Sequence, residues 1–191
     1  MKLSLDRLTE TPREQTFTLS PAWWRARTGE DAGDCLAEDV AVRVSAHKMG
    51  HDVFLDGTLD GGLDLQCGRC LSRYRQPIRE RFQLLLEPAG DRVPADPEGA
   101  AALARDGLYL SDELEAGWFR GSEIDLGGYF QEGIALLFPV QPLCREECRG
   151  LCASCGADRN AAACGCEQGS PSSPFAVLRG LRNQMTEGED R

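Results

Sequence analysis

Apolar and polar residues alternate along much of the chain between Asp39 and Pro88. Four runs show the alternation most clearly: Val40–Val44, Val53–Leu55, Leu63–Leu65 and Phe82–Leu86. A period of two puts successive side chains on opposite faces of a strand, so these runs predict a meandering antiparallel sheet. Turn sequences predict its connections: Met49-Gly50, Asp56-Gly57 and Asp60-Gly61-Gly62.

Weaker patterns occur on either side of this region. Arg13–Leu19 predicts one more strand, and Leu108–Leu110 and Trp118-Phe119 predict two short ones. The segment 87–107 is rich in Pro, Gly, Ala and acidic residues and has no apolar period, so it predicts an acidic surface loop.

One helix is predicted after Asp125, which is a good capping residue. The apolar residues that follow have nearly helical spacing: Leu126, Phe130, Ile134 and Leu137. Pro139 is expected to end the helix. Three glycines within it each cost about 1 kcal/mol relative to alanine, so packing must stabilise it.

No segment of the sequence is suited to crossing a membrane. The longest apolar stretch, Ile134–Phe138, is far shorter than a bilayer-spanning helix, and Asp6 and Arg7 interrupt the place where a secretory signal needs apolar residues. We therefore expect a cytoplasmic protein without membrane contact. In a reducing compartment, clustered cysteines bind metal or do redox work more often than they form structural disulfides.

The cysteines are the clearest chemical signal. There are nine, and eight form close pairs: Cys67 with Cys70, Cys144 with Cys148, Cys152 with Cys155, and Cys164 with Cys166. Tetrahedral Zn²⁺ takes four thiolates, and a CxxC turn supplies two from one tight knuckle. The pairs therefore predict one or two zinc ions. Cys35 stands alone in an acidic context and is interpreted as a spectator.

Two pairings satisfy this count. In the preferred one, Cys67, Cys70, Cys144 and Cys148 form one site, and a local second site takes the remaining four: Cys152, Cys155, Cys164 and Cys166. In the alternative, Cys144 and Cys148 join Cys152 and Cys155, which leaves Cys164 and Cys166 to meet Cys67 and Cys70. Spacing alone does not choose between them.

Together these patterns predict an α+β fold, mainly an antiparallel sheet with one or two short helices and a C-terminal cysteine-rich zinc module. The predicted division is a sheet core at 1–140 with its acidic loop at 87–107, a zinc module at 141–168, a short helix at 174–183 and a polar tail at 184–191.

Enzymatic interpretations are less well supported. Cys148, Cys152 and Cys155 read CxxxCxxC, as in radical iron–sulfur enzymes, but the chain after them is too short for the barrel that such chemistry needs. A redox CxxC belongs at the start of a helix, and Cys67 follows strand-like residues. His47 and His51 are expected in an exposed hairpin turn. The sequence thus predicts a non-catalytic protein without a small-molecule substrate.

Charge indicates two modes of contact. The net charge of −10 favours basic partners such as ribosomal proteins, and the acidic surface between Glu87 and Glu132 is the candidate for them. An arginine row interrupts this acidity and could pair with phosphate oxygens of RNA: Arg69, Arg73, Arg75, Arg79 and Arg81. Arginines on a strand also commonly form its solvated face, and we give the two interpretations equal weight.

An ordered set of motifs resembles the YceD family, the large ribosomal RNA accumulation proteins. The matching residues run from Val40 to Leu181: Cys67-Gly68-Arg69-Cys70-Leu71, Glu123-Ile124-Asp125-Leu126, Leu137-Phe138-Pro139, Cys144, Cys148-Arg149-Gly150-Leu151-Cys152, Cys155-Gly156, Asn160, Cys164-Gly165-Cys166 and Pro174-Phe175-Ala176-Val177-Leu178. The stretch from Val93 to Ala104 does not match and is interpreted as a variable insertion.

The resemblance implies a role in ribosome biogenesis, namely accumulation or maturation of large-subunit rRNA through a ribosomal precursor, rRNA or a basic ribosomal protein. It brings no catalytic residue. Some members of the family keep the first CxxC and equivalents of Cys144 and Cys148 without the later cysteines, which favours the preferred pairing. A redox-regulated zinc chaperone is the alternative function.

Overall fold

The structure is a computed structural model that describes residues 1–29, 35–111 and 115–166. Two compact units divide the chain, Met1–Cys148 and Arg149–Arg191. Their boundary falls inside the segment 141–168 that was predicted as one cysteine-rich module. The predicted helix at 174–183 and the tail at 184–191 lie outside the described residues.

Strands dominate the first unit. Those in its described part are β1 (Lys2–Ser4), β2 (Arg13–Leu19), β3 (Val40–Met49), β4 (Asp52–Gln66), β5 (Arg73–Pro88), β6 (Leu108–Leu110), β7 (Ala116–Phe119) and β8 (Glu123–Asp125). The α-helices there are α1 (Pro21–Thr28), α2 (Pro97–Asp106) and α3 (Gly127–Leu136). None of these helices is long and apolar enough to cross a membrane.

Six strands form one sheet in the order β2-β3-β4-β5-β7-β6. All neighbours are antiparallel except β5 and β7, which are parallel. Strands β1 and β8 form a separate antiparallel pair. The predicted α+β class with a mainly antiparallel sheet is confirmed, and the strand expected at Arg13–Leu19 is β2.

One face of the sheet carries the core. Val42, Leu55 and Leu84 are buried there, and the ring of Phe82 lies 5.8 Å from that of Phe130 on α3. Burial of this apolar face supplies the main stabilisation of the sheet. The opposite face is mainly polar, in agreement with the period-two pattern, although Phe54 and Leu85 lie beside each other on it.

Two of the three predicted turns are wrong. Asp56-Gly57 and Asp60-Gly61-Gly62 lie inside β4, which runs without interruption beside β5. A Cβ on Gly57 would lie 2.6 Å from Cζ of Phe82, so this glycine makes room for an aromatic ring rather than for a turn. Of the three predicted turns, only Met49-Gly50 lies at a hairpin turn, which joins β3 to β4. Gly50 has φ of 67° in this turn.

Two helices were not predicted, although their caps are visible in the sequence. Ser20 accepts a hydrogen bond from the backbone nitrogen of Trp23 at 3.1 Å, and Asp96 accepts one from that of Gly99. A proline follows each cap and favours the first helical turn. The segment 87–107 is therefore not one loop, because α2 occupies half of it.

The helix predicted after Asp125 exists as α3. The carboxylate of Asp125 accepts a hydrogen bond from the backbone nitrogen of Gly127 at 2.8 Å, although Leu126 occupies the capping position itself. Leu126, Phe130 and Ile134 are buried, so the apolar stripe faces the core as its spacing indicated.

Candidate metal centres

The first CxxC pair forms the turn of the long β4–β5 hairpin. β4 ends at Gln66 and β5 begins at Arg73. Between them, the backbone nitrogen of Cys67 donates to the carbonyl oxygen of Ser72 at 2.9 Å, and that of Leu71 donates to the carbonyl oxygen of Cys67 at 3.0 Å. These bonds hold a tight knuckle at the tip of two strands.

The segment after α3 is bound against this knuckle. The backbone nitrogen of Gly68 donates to the carbonyl oxygen of Pro142 at 2.8 Å. The guanidinium Nη1 of Arg69 donates to the carbonyl oxygens of Glu146 at 3.2 Å and Cys148 at 3.0 Å. Backbone and side-chain bonds thus bring a second cysteine pair to the first.

Four sulfurs meet at this place and define the first cluster: Cys67, Cys70, Cys144 and Cys148. Their Sγ atoms all lie within 4.8 Å of one another. Sγ of Cys67 lies 3.8 Å from that of Cys148, and Sγ of Cys70 lies 3.7 Å from that of Cys144. A tetrahedron with zinc–sulfur bonds of about 2.3 Å has edges of about 3.8 Å, so the donors fit Zn²⁺.

Burial and hydrogen bonds divide the thiols of the first cluster. Cys67 and Cys148 are buried, and Cys70 and Cys144 are half-buried. Backbone N–H groups of Cys144, Cys70 and Arg69 lower the pKa of Cys67 to about 6, the last over 3.4 Å. Burial and the neighbouring thiol of Cys70 raise the pKa of Cys144 to about 12. The cluster therefore favours one thiolate beside a protonated thiol until a cation enters.

The second unit contains the second cluster, formed by Cys152, Cys155, Cys164 and Cys166. Their Sγ atoms also lie within 4.8 Å of one another. The backbone nitrogen of Gly156 donates to the carbonyl oxygen of Cys152 at 2.9 Å, as Leu71 does to Cys67 in the first knuckle. The two knuckles thus share one local structure.

The second cluster is less protected than the first. Cys155 is exposed and the other three cysteines are half-buried. Backbone N–H groups of Cys155 and Ser154 lower the pKa of Cys152 to about 6, while the thiols of Cys155 and Cys152 raise the pKa of Cys166 to about 12. Its donor set suits the same kind of cation, with more access for solvent.

The structure brings together the two cysteine sets of the preferred pairing. The CxxxCxxC fragment is divided between them, because Cys148 belongs to the first cluster and Cys152 and Cys155 belong to the second. Cys35 belongs to neither set, and its carbonyl oxygen accepts a hydrogen bond from the backbone nitrogen of Asp64 at 2.9 Å. All nine cysteines lie within the described residues, and none of them forms a disulfide there.

The arginine row is largely ion-paired. Arg73 contacts Asp64 at 2.8 Å, Arg79 contacts Asp60 at 2.7 Å, and Arg75 contacts Glu38. Arg69 is bonded to the carbonyl oxygens beside the first cluster, and Arg81 is exposed. Two of these partners, Asp60 and Asp64, lie on β4, and the register between β4 and β5 places them beside the arginines.

The two histidines do not share the predicted turn. His51 is exposed in the turn after β3. His47 lies within β3, half-buried, with its ring centroid 5.4 Å from that of Phe54 in an edge-on arrangement. The residues therefore occupy different environments.

Comparison with known proteins finds relatives of this chain in plants and mycobacteria. A chloroplastic YCED homolog 1 of Arabidopsis thaliana, named a large ribosomal RNA subunit accumulation protein, is 25% identical over 169 residues, which cover 78% of this chain and 50% of the relative. The same-named protein of Zea mays is 30% identical over 147 residues, 67% of this chain and 48% of the relative. An uncharacterized protein of Mycobacterium tuberculosis is 31% identical over 118 residues, 62% of this chain and 49% of the relative.

The chain spans about half the length of these curated relatives. No solved structure matches it. The model of one family, described as large ribosomal RNA subunit accumulation protein YceD, matches residues 55–182, a range that includes all eight clustered cysteines. The chain therefore belongs to the YceD family.

Proposed function

We propose that this chain is a non-catalytic zinc protein of ribosome biogenesis that supports accumulation or maturation of large-subunit rRNA. The observation that carries the proposal is the four-sulfur cluster that joins the tip of the β4–β5 hairpin to the segment after α3. It occurs in a family whose plant relatives are named for accumulation of this RNA.

Zinc in the first cluster would act as a staple. Four protein ligands close the coordination sphere, which is the arrangement of structural rather than catalytic zinc. Because such a site forms only in the folded chain, binding of the metal stabilises the fold. Cys67 and Cys148 are buried, so this cluster is the one whose metal the sheet depends on.

Native mass spectrometry with elemental analysis tests the metal. Protein purified without any chelator is expected to carry zinc in both clusters and to be colourless. A cooperatively folded, metal-free protein would contradict the proposal, and a brown protein prepared without air would support an iron–sulfur site instead. Chelator is expected to remove the metal of the exposed second cluster first.

The acidic surface between Glu87 and Glu132 is the proposed contact for a basic ribosomal protein within a precursor. A groove of about 520 Å³ lies there between α2 and α3, with carboxylates of Glu98 and Glu132 among its lining residues. Arg105 also lines it and is ion-paired with Asp106 at 2.6 Å. Charge complementarity of this kind steers association and selects partners. The arginine row is the second proposed contact, and phosphate oxygens would have to compete there with Asp60 and Asp64.

Pull-down from a ribosome-assembly lysate, with and without nuclease, separates these contacts. A Glu98→Lys, Glu132→Lys variant is expected to lose ribosomal protein in both samples. A variant with Arg73, Arg75 and Arg79 changed to glutamine is the matched comparison and is expected to keep it. If only the arginine variant loses precursor RNA, the contact with the precursor is made by the arginine row and not by the acidic surface.

Exposure of Cys155 favours one further candidate function, a redox-regulated chaperone. Accessible thiolates are the ones that a peroxide oxidises to a disulfide, with release of their metal. A chaperone of this kind would suppress aggregation of an unfolded client only after mild oxidation. Equal activity in reduced, zinc-loaded protein would rule this candidate out.

A further inference from the structure

Strand β5 is paired along one edge but only partly along the other. β4 pairs with it from Arg73 to Leu86, whereas β7 pairs with it only from Leu85 to Pro88. In the part of the chain that the structure describes, no strand pairs with the second edge between Tyr74 and Leu84. Every second residue there directs its C=O group outward and, except at Pro77, its N–H group as well, where another strand could bind them.

A cavity marks the point at which β7 stops covering this edge. It has a volume of about 680 Å³, and its lining includes Arg81, Phe82, Glu115 and Tyr129. Tyr129 is only 8% exposed. Burial and then the charge of Glu115 raise the pKa of this phenol to about 12, so it remains a neutral donor.

The two faces of the edge differ in chemistry. Exposed arginines lie on the outer face: Arg73, Arg75, Arg79 and Arg81. Apolar groups alternate with them on the core face, where Ile78 is buried and Tyr74 and Phe82 are half-buried. Side chains of an added strand would fall alternately beside these two sets.

A second copy of this chain is a poor occupant. Antiparallel pairing of two β5 edges about Pro77 would place Arg73 opposite Arg81 and Arg75 opposite Arg79 on the same face. Like charges directly opposite each other destabilise a strand pair. The arginines therefore act against self-pairing, whereas they attract a partner's carboxylates in competition with Asp60, Asp64 and Glu38.

We propose that the open edge of β5, from Tyr74 to Leu84, binds an extended segment of a partner protein in which acidic and apolar residues alternate. The segment adds a strand in line with β7, its carboxylates lie beside the arginines, and its apolar side chains cover Ile78 and Phe82. Main-chain pairing supplies the affinity and the alternation supplies the specificity. This interface is independent of the ribosomal role and of its acidic surface.

Fluorescence anisotropy with a labelled, acetylated peptide of alternating glutamate and valine tests the proposal on the full-length, metal-loaded protein. Saturable binding is expected. An Arg79→Glu, Arg81→Glu variant should bind at least about tenfold more weakly, which is the loss of one charge-assisted contact. Arg13→Glu is the matched control, because Arg13 is exposed on β2 and strands β3 and β4 separate it from the edge. This variant should bind the peptide normally.

Backbone methylation provides a test that does not depend on the folding of a variant. Two peptides are compared, one N-methylated at its odd-numbered residues and the other at its even-numbered residues. Only one of these two sets of amides faces β5, so one peptide should lose binding and the other should keep it. Equal effects in both peptides, or no binding of the parent peptide, would overturn the proposal. Binding of single-stranded RNA to the edge without binding of the peptide would also overturn it, in favour of a phosphate-binding surface.

Discussion

The backbone N–H of Leu71 donates to the carbonyl oxygen of Cys67 over 3.0 Å, and in making this bond Leu71 takes φ of 61°. In the second knuckle the corresponding residue is Gly156, with φ of 73°. The left-handed region costs a side-chain-bearing residue about 1–2 kcal/mol and glycine almost nothing. The first knuckle therefore carries backbone strain that the second avoids.

Leu71→Gly is expected to raise the free energy of unfolding of the metal-loaded protein by about 1 kcal/mol, since release of strain exceeds the greater entropy of glycine in the unfolded chain. The leucine side chain is 55% exposed, so its removal forfeits little packing. Urea denaturation followed by circular dichroism measures the change.

The reverse substitution in the second knuckle is the control. A Cβ on Gly156 would meet nothing within 4 Å, so Gly156→Ala introduces the conformational cost without a clash. It should weaken metal binding at the second cluster and leave the first unaffected. Destabilisation by Leu71→Gly would show that the leucine makes a contact worth more than the strain.

Arg69 is expected to support the first cluster rather than to bind phosphate. Its guanidinium holds the carbonyl oxygens of Glu146 and Cys148 beside the metal ligands. Loss of such supporting contacts typically lowers metal affinity roughly 10- to 100-fold. Arg69→Ala should show this in zinc competition with a chromophoric chelator, and Arg81→Ala, which removes an exposed arginine of the same row, should not.

Two glycines with opposite surroundings provide a test of packing. Gly57→Ala should destabilise the sheet by about 1–3 kcal/mol, because the new methyl group would overlap the Phe82 ring and the carbonyl oxygen of Arg43. Gly133→Ala should stabilise α3 by about 1 kcal/mol, because its Cβ would meet nothing within 4 Å. Thermal unfolding measures the change in stability of both variants, which should have opposite signs. If Gly57→Ala leaves the stability unchanged, the Phe82 ring moves aside at little cost.

The same glycines show where sequence reasoning ends. Alternation identified the strands because one face of the sheet is buried, a property that each strand carries in its own residues. Gly57 and Gly61 resemble turn residues in the sequence, because the neighbours that require a glycine there, Phe82 and Val40, belong to other strands. Nothing local distinguishes a glycine that permits a turn from one that permits a close approach.

The candidate site divides in the same way. Spacing was sufficient to group the cysteines into ligand pairs. The meeting of Cys70 with Cys144, 74 residues apart, depends on how α3 returns the chain to the hairpin. Likewise, the acidic partners of Arg73 and Arg79 lie on β4. The ion pairs of the arginine row therefore depend on the register between β4 and β5, which the sequence does not give.

Proton release should accompany metal binding at the first cluster. Zinc needs thiolates, and the raised pKa of Cys144, about 12, means that it holds its proton throughout the neutral range. Metal must displace that proton, so affinity should fall as the pH is lowered, and more steeply below about 6, where Cys67 becomes protonated as well. Calorimetry in buffers of different ionisation enthalpy measures the protons released. Cys144→Ser should reduce their number, and an affinity independent of pH would show that all four sulfurs are already ionised without metal.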